Sequence, residues 1–261
     1  MEHIGATSRT GYSRTVSLLG VSYQDVTALF AASGARRTPT LFTSSALYGT
    51  DRSLVDDPRT KALYPPWEYA RLLQRAAQAA SGDNAVPLAA LAANVQHIRA
   101  ILDQGGRVVT GTDSPIDFNG ISLHMNLRAM VKYEMTPADA LTTATRYAGE
   151  FLDQPLGVIA PGMLADMVVT SGNPLVRIED AAAVRHVIKN GEVYDVPAIL
   201  GPFAGMKNAE ATPVQVAARP PAPGLWWHDA DYVESGRAAC CLDPFCAVNS
   251  TGRRIFRAIE V

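Results

Sequence analysis

Cysteine and histidine are scarce in this chain of 261 residues, and neither sign of charge dominates it. Its three cysteines, Cys240, Cys241 and Cys246, are an odd number, so they cannot form a closed set of disulfides within the chain. Neither a fourth cysteine nor a nearby pair of histidines completes a tetrahedral zinc site, and we interpret the cysteines as structural or incidental. The formal net charge of −2 gives no electrostatic basis for binding nucleic acid or an anionic membrane.

Long apolar runs are also missing. Residues 1–14 contain no apolar run of the length that a signal peptide needs. No stretch approaches the roughly 18 consecutive apolar residues of a membrane span. The sequence therefore indicates neither a signal peptide nor a transmembrane segment, and it leaves the localisation of the protein unknown.

What the sequence does contain is an alternation of strand and helix signals in its first part. Short β-type runs at residues 40–43 and 107–110 are separated by helical patterns over 67–80 and 88–104. A further helix is expected to begin at Thr136, which is followed by a proline at the first helical position. Alternating strands and helices predict an α/β fold with a parallel sheet.

The composition divides the chain into three parts, which are residues 1–154, 155–199 and 200–261. The second part carries short β runs and turn signals, and the third begins as a linker rich in proline, glycine and alanine before an irregular tail. Prolines and clustered charges interrupt any regular period from 44 to 85, which indicates an insertion over one end of the first part. This insertion is either an ordinary surface excursion or a lid that carries substrate contacts.

Two side chains that could hold a metal stand at the ends of predicted strands. His3 lies in the run EHIG, and Asp113 lies in the run GTD. In a barrel of parallel strands, reactive side chains cluster at the C-terminal strand ends. Imidazole suits zinc, and a carboxylate can both contact a metal and move a proton. Spacing alone gives this pair little weight, because one histidine and one aspartate so far apart occur in most proteins.

Four longer segments follow in a fixed order: GGRVVTGTDSP, LHMNLRAMVKYEMTPADALTTATRYAGEFL, LGVIAPGMLADMVVTSGNPL and VRHVIKNGEVY. In this order and spacing they resemble the C-terminal region of the amidohydrolase superfamily, specifically its imidazolonepropionase-like branch. The runs EHIG and TPTLFTSS nearer the N-terminus are similar to the sixth and seventh strands of the same barrel. The resemblance covers roughly residues 1–195 and does not extend to the tail.

The resemblance implies a fold and the roles of single residues. The implied fold is the C-terminal part of a TIM (β/α)8 barrel, with about three strand–helix units, followed by part of a small β-sandwich. Asp113 matches the eighth-strand aspartate, which in the family contacts the metal and moves a proton from the attacking water to the leaving group. His3 matches the sixth-strand histidine, a metal ligand. The implied cofactor is a divalent metal, and the ligand types suit zinc.

Part of the family's metal site has no counterpart in this sequence. The His-x-His pair of the family's first strand does not occur, and its fourth-strand lysine and fifth-strand histidine have no match. A complete barrel takes about 250 residues, or about 30 per strand–helix unit. We therefore expect a C-terminal fragment with an incomplete metal site, which self-associates or requires the missing N-terminal half.

Several other residues could carry chemistry. His124 lies near a helix start and could contact the substrate. His97 is interpreted as a packed or surface residue, His186 as structural, and Asp166 as a residue that stabilises a turn. The run Trp226-Trp227-His228 could be an aromatic binding patch, although anchoring of the tail is the favoured interpretation.

Together, the residues and the resemblance predict a metal-dependent amidohydrolase that hydrolyses non-peptide or dipeptide-type C–N bonds of a small-molecule substrate. Asp113 would be the catalytic residue, His3 and Asp113 metal ligands, and His124 a substrate contact. The isolated chain would be weakly active or inactive. The alternative is a non-catalytic remnant or binding module built on a partial amidohydrolase fold. No nucleic-acid or membrane partner is expected, and nothing in the sequence selects the substrate, the metal or the oligomeric state.

Overall fold

A computed structural model of the chain describes residues 24–203, with gaps at residues 83, 115 and 116. The α-helices are α1 Gln24–Ala32, α2 Pro58–Leu63, α3 Pro66–Ser81, α4 Ala85–Asp103, α5 Ile121–Lys132, α6 Pro137–Ala144, α7 Arg146–Leu152 and α8 Val196–Leu200. The strands are β1 Arg36–Arg37, β2 Arg107–Val108, β3 Met167–Thr170, β4 Val184–Lys189 and β5 Glu192–Asp195. Short 3₁₀ helices span Phe42–Gly49, Ile178–Ala182 and Gly201–Phe203.

Strands β1 and β2 form a parallel pair, which confirms the parallel pairing predicted from the alternation of strands and helices. Arg37 pairs with Val108, and a further parallel bridge joins Thr40 to Gly111. Because the two strands run in the same direction, their C-terminal ends lie at the same edge. The strand predicted around His3 lies outside the described residues.

The strand predicted at residues 40–43 is wrong. Only Thr40 forms a bridge there, and the 3₁₀ helix Phe42–Gly49 follows at once. This tighter backbone brings Leu41, Leu47 and Tyr48 into the core, where each is at most 3% exposed. Burial of these large side chains outweighs the strand propensity of a run with β-branched and aromatic residues.

The helix predicted over residues 67–80 is confirmed as α3. Pro66 occupies its first turn, where a missing N–H costs nothing, and Gly82 follows at the C-terminal end. Buried residues of α3, among them Leu72 and Ala76, belong to the same core cluster as those of α4. Much of the segment 44–85 is thus packed into the core, and its interpretation as an insertion remains a prediction.

Helix α4 corresponds to the helix predicted over residues 88–104. Contrary to the sequence-based expectation, it is long and apolar enough to cross a membrane by length and composition alone. The same composition is found in core helices, and Leu91, Val95 and Ile98 of α4 are fully buried against the rest of the chain. We interpret α4 as a core helix of the described region, with one face buried.

The helix predicted from Thr136 is confirmed as α6. The Thr136 hydroxyl accepts a hydrogen bond from the Asp139 N–H at 3.0 Å, and Pro137 occupies the first turn. The fully buried Thr143 of α6 contacts Thr110, directly after β2. The helix cap therefore stabilises an element that holds the end of the parallel pair.

Strands β3, β4 and β5 form an antiparallel sheet in that order, which confirms the β runs predicted within residues 167–169 and 187–188. The predicted run at residues 158–159 is wrong, because Val158 lies in a bend and Ile159 in no regular element. Gly157, with φ 91°, turns the chain immediately before them. The sheet leaves Val168 and Val193 each 61% exposed.

We expect Thr136→Ala to lower the free energy of unfolding by about 1 kcal/mol, because the α6 N–H groups lose their side-chain acceptor. Thr142→Ala is the matched control in the same helix, since its hydroxyl donates to the Ala138 carbonyl, an acceptor that the helix already uses. Urea unfolding of both variants provides the measurement. Equal losses in the two variants would contradict a capping role for Thr136.

Candidate functional site

The candidate site lies at the edge where β1 and β2 end. Beyond Thr40 the chain enters the 3₁₀ helix Phe42–Gly49, and Gly111 is followed by the segment that precedes α5. Reactive groups of barrel enzymes stand at the C-terminal ends of parallel strands. Polar side chains of these two segments are therefore the candidates for chemistry.

Asp113 stands exposed at this edge, two residues beyond the last strand bridge. Its backbone has φ 52°, in the left-handed region that few non-glycine residues adopt and that aspartate tolerates better than most. The residues before it are held from two helices. The Thr110 N–H donates to the Thr143 carbonyl at 3.1 Å, and the Asn126 amide donates to the Gly111 carbonyl at 3.1 Å. The exposed carboxylate of Asp113 thus lies on a turn whose first residues, Thr110 and Gly111, are fixed by hydrogen bonds to two helices.

Of the two predicted metal ligands, only Asp113 belongs to the described part of the chain, and His3 lies outside it. Within residues 24–203, as far as they are described, no three His, Cys, Asp or Glu side chains come together to hold a metal ion. A catalytic zinc normally has three protein ligands. The described side chains therefore do not fit a complete metal centre.

His124 lies in the first turn of α5 and is partly buried. Its Nδ1 atom has no hydrogen-bond partner. Burial, followed by the charges of Arg128 and Arg59, lowers the pKa of His124 to about 4. The imidazole is therefore neutral at physiological pH, and its predicted contact with a substrate remains a prediction.

Two ion pairs surround this histidine. Arg128, whose side chain is 7% exposed, donates to the Asp51 carboxylate and to the Ser53 hydroxyl, both at 2.6 Å. Burial raises the pKa of Asp51, but hydrogen bonds from Ser53 and Arg128 outweigh it and hold this pKa below its ordinary value. Arg59 likewise forms two hydrogen bonds with the Asp57 carboxylate. The Arg128–Asp51 pair fixes the segment after the 3₁₀ helix against α5, whereas the Arg59–Asp57 pair lies within that segment.

A buried polar cluster formed by Asp117, Tyr48 and Ser122 lies between the same two segments. Asp117 is 5% exposed; one carboxylate oxygen accepts the Phe118 N–H at 2.9 Å, and the other has no hydrogen-bond partner. Burial raises the pKa of Asp117, and burial also raises the pKa of Tyr48. Sequence reasoning missed this cluster. The available signal was an acidic residue in the loop directly after a predicted strand.

The remaining histidines and Asp166 have structural surroundings. His97 is fully buried between α1 and α4 and lies 3.3 Å from the Thr27 hydroxyl, which confirms a packed histidine. His186 forms a cross-strand pair with Asp195 at 3.3 Å. Asp166 accepts the Asn190 N–H at 2.8 Å and contacts Lys189, as expected for a turn residue. The run 226–228 and the three cysteines lie outside the described residues.

A cavity of about 280 Å³ lies beside α7 and is lined in part by Arg146, Glu150 and Met163. Its lining includes neither Asp113 nor Asp117 nor His124. This cavity therefore does not coincide with the edge at which the chemically competent side chains stand.

Comparison with protein families provides the decisive observation, because residues 55–194, more than half of the chain, match the model of the amidohydrolase family. The chain belongs to the amidohydrolase family. Membership in this family implies a TIM-barrel type of fold, and the described region, with its parallel pair and surrounding helices, is a mixed helix and sheet structure. The match includes Asp113, Asp117 and His124.

Solved structures similar to this amidohydrolase-family chain include a Xaa-Pro dipeptidase with methionine bound in its active site. The two are 23% identical with a TM-score of 0.44, and the match covers 67% of this chain and 38% of that chain. The bottromycin amidohydrolase is 20% identical with a TM-score of 0.47, and the match covers 69% of this chain and 42% of that chain. Molinate hydrolase is 20% identical with a TM-score of 0.42, and the match covers 78% of this chain and 39% of that chain.

This amidohydrolase chain therefore spans about two fifths of the length of the solved structures that it matches. A comparison with curated proteins gave no match. At the identities and TM-scores found, the family assignment depends on the family model alone.

We expect Arg128→Met to lower the free energy of unfolding by about 2–3 kcal/mol, because it leaves Asp51 without its buried cationic partner. Arg52→Met is the matched control, since the Arg52–Asp56 pair has side chains that are 40% and 48% exposed. Exposed pairs contribute at most about 1 kcal/mol. Equal effects of the two substitutions in urea unfolding would show that Arg128 does not hold the segment.

Acid should destabilise the fold through His124. In the unfolded chain this imidazole takes up a proton near its ordinary pKa of 6.5, whereas in the folded chain it does so only near 4. The unfolded state therefore binds more protons in this window, and the free energy of unfolding falls as the pH falls from about 6.5 to about 4. Over this pH range, we expect the unchanged chain to lose on the order of 2 kcal/mol of unfolding free energy through His124, and we expect His124→Gln to abolish this contribution. Denaturant unfolding at several pH values measures the difference, and identical pH profiles would refute the assignment.

Proposed function

We propose that the protein is a hydrolase of C–N bonds in a small-molecule substrate, with Asp113 as the group that transfers the proton. The observation that carries this proposal is the place of Asp113, exposed on a held turn at the C-terminal end of a parallel strand in an amidohydrolase-family chain. Barrel enzymes use this edge for catalysis. Membership in the amidohydrolase family supports the reaction class.

The proposed chemistry uses the Asp113 carboxylate as a base and then as an acid. It accepts a proton from the attacking water as the oxygen adds to the substrate carbon, and it returns this proton to the leaving nitrogen as the C–N bond breaks. The exposed side chain of Asp113 is open to such a substrate, whereas the buried carboxyl of Asp117 is not. This difference in exposure supports proton transfer by Asp113 rather than by Asp117.

Amidohydrolases generally use a divalent metal, which activates water and polarises the bond that is cleaved. We propose zinc, with His3 and Asp113 as its ligands in this chain. Two ligands are one fewer than a catalytic zinc normally has, and no His-x-His pair occurs in the sequence. We therefore infer that turnover requires further ligands from a His-x-His-bearing barrel segment in the active assembly, and that His124 contacts the substrate there.

We expect Asp113→Asn to lower kcat of the active assembly by about 10²–10⁴, because asparagine keeps the shape and cannot move a proton. Asp153→Asn is the matched control. Asp153 is also exposed and also has φ 52°, but it follows α7 and lies away from the strand edge.

The measurement combines kcat, metal content and melting temperature for both variants. Loss of turnover in Asp113→Asn alone, with the fold retained, supports the proposed role. Near-unchanged turnover removes Asp113 from the mechanism. An assembly in which no form hydrolyses C–N bonds would favour the non-catalytic binding module instead.

A further inference from the structure

We propose that Asn126 is a positioning residue for Asp113, holding the end of β2 from helix α5; this inference rests on the proposed function. Asn126 is fully buried, and its Nδ2 atom donates to the Gly111 carbonyl at 3.1 Å. Gly111 is the residue that bridges to Thr40, and Asp113 follows two residues later. One side-chain amide thus connects α5 to the strand end from which the candidate catalytic carboxylate projects.

The chemistry of the amide fixes which of its ends faces the strand. A reversed amide would place Oδ1 against the Gly111 carbonyl, and two acceptors would then face each other. With Nδ2 toward Gly111, the Oδ1 atom of Asn126 has no hydrogen-bond partner. A buried polar atom without a partner costs about 1–3 kcal/mol. Leucine, with a similar shape, would avoid this cost, so packing alone does not account for asparagine, whereas donation to Gly111 does.

The backbone conformation of Gly111 must be restrained by contacts with other residues. It has no side chain to restrict its own backbone. On the β1 side it is confined by close approach, because a Cβ atom at this position would collide with the Thr38 side chain. On the α5 side the Asn126 amide holds its carbonyl. These two contacts limit rotation at Gly111.

The turn at Asp113 depends on this restriction. Thr110 is already tied to Thr143 through its N–H and its hydroxyl group. After Gly111, only Thr112 separates the held carbonyl from the left-handed backbone of Asp113, with φ 52°. A left-handed aspartate persists where its surroundings enforce it. Loss of the Asn126 donor should therefore let the backbone at Asp113 leave this conformation and shift its carboxylate.

The first test measures the backbone of the full chain by NMR. Asn126→Leu keeps the approximate shape and removes the donor, and Met125→Leu is the control at the neighbouring, equally buried position of α5. We expect the HN–Hα coupling of Asp113 and the amide shifts of residues 111–113 to change in Asn126→Leu and to stay the same in Met125→Leu. Unchanged couplings and shifts in Asn126→Leu would overturn the inference.

Two further measurements test the inference if Asn126→Leu does not fold. Asn126→Ala removes the same donor with less crowding and should give the same local change. In the unmodified chain, the side-chain amide protons of Asn126 should exchange slowly with solvent, as protons in a buried hydrogen bond do. Fast exchange of these protons would overturn the inference without any substitution.

The second test measures turnover of the active assembly. Misplacement of a catalytic group by about 1 Å can cost about 10²-fold in rate, so Asn126→Leu should lower kcat by about 10- to 100-fold with KM nearly unchanged. Met125→Leu should keep both constants. A changed backbone at Asp113 with unchanged kcat would overturn the positioning role. If Asp113→Asn leaves turnover intact, or no form is active, the proposed function fails, while the NMR result still decides whether Asn126 holds Gly111.

Discussion

The parallel pairing of β1 with β2, extended by the bridge from Thr40 to Gly111, is the contact on which the candidate site depends. It brings two segments that are distant in sequence to one edge, the 3₁₀ helix after β1 and the loop before α5. Without this register, Asp113 would have no defined position relative to Tyr48 or Asp51. The strands themselves are short. The hydrogen bonds that join Thr143 to Thr110 and Asn126 to Gly111 therefore supplement those of the strand ladder.

Burial separates the polar groups at this edge into two kinds. Asp113 is exposed, whereas Asp117 and His124 lie where burial disfavours their charged forms. The buried Arg128 forms an ion pair with Asp51, and this pair ties the segment after the 3₁₀ helix to α5. An exposed Asp113 and several buried polar groups thus share this edge, and only the exposed carboxylate suits the proton transfer that we propose.

Comparison of prediction with structure shows which local signals are reliable here. The helices α3 and α6 were predictable because a proline in the first turn and, for α6, a threonine cap act within one turn of chain. The strand signals at residues 40–43 and 158–159 gave wrong predictions. A short β-branched or apolar run does not by itself specify a strand, because burial in another backbone conformation or a turn in the chain can override its preference. The buried cluster around Asp117 was missed, because its one sequence signal, an acidic residue after a predicted strand, does not show that segments distant in sequence bury that residue.

The family, the parallel α/β organisation and the candidacy of Asp113 were determined by the sequence itself, because ordered motifs and the position of an acid after a strand are written in the order of residues. The tertiary structure alone decided which polar groups are charged, which are buried and which helix holds the strand end. Those properties depend on burial and on hydrogen bonds between residues far apart in the chain, such as the one from Asn126 to Gly111. A carboxylate in the sequence is only a candidate, and its surroundings in the fold determine whether it meets solvent, as Asp113 does, or is buried, as Asp117 is.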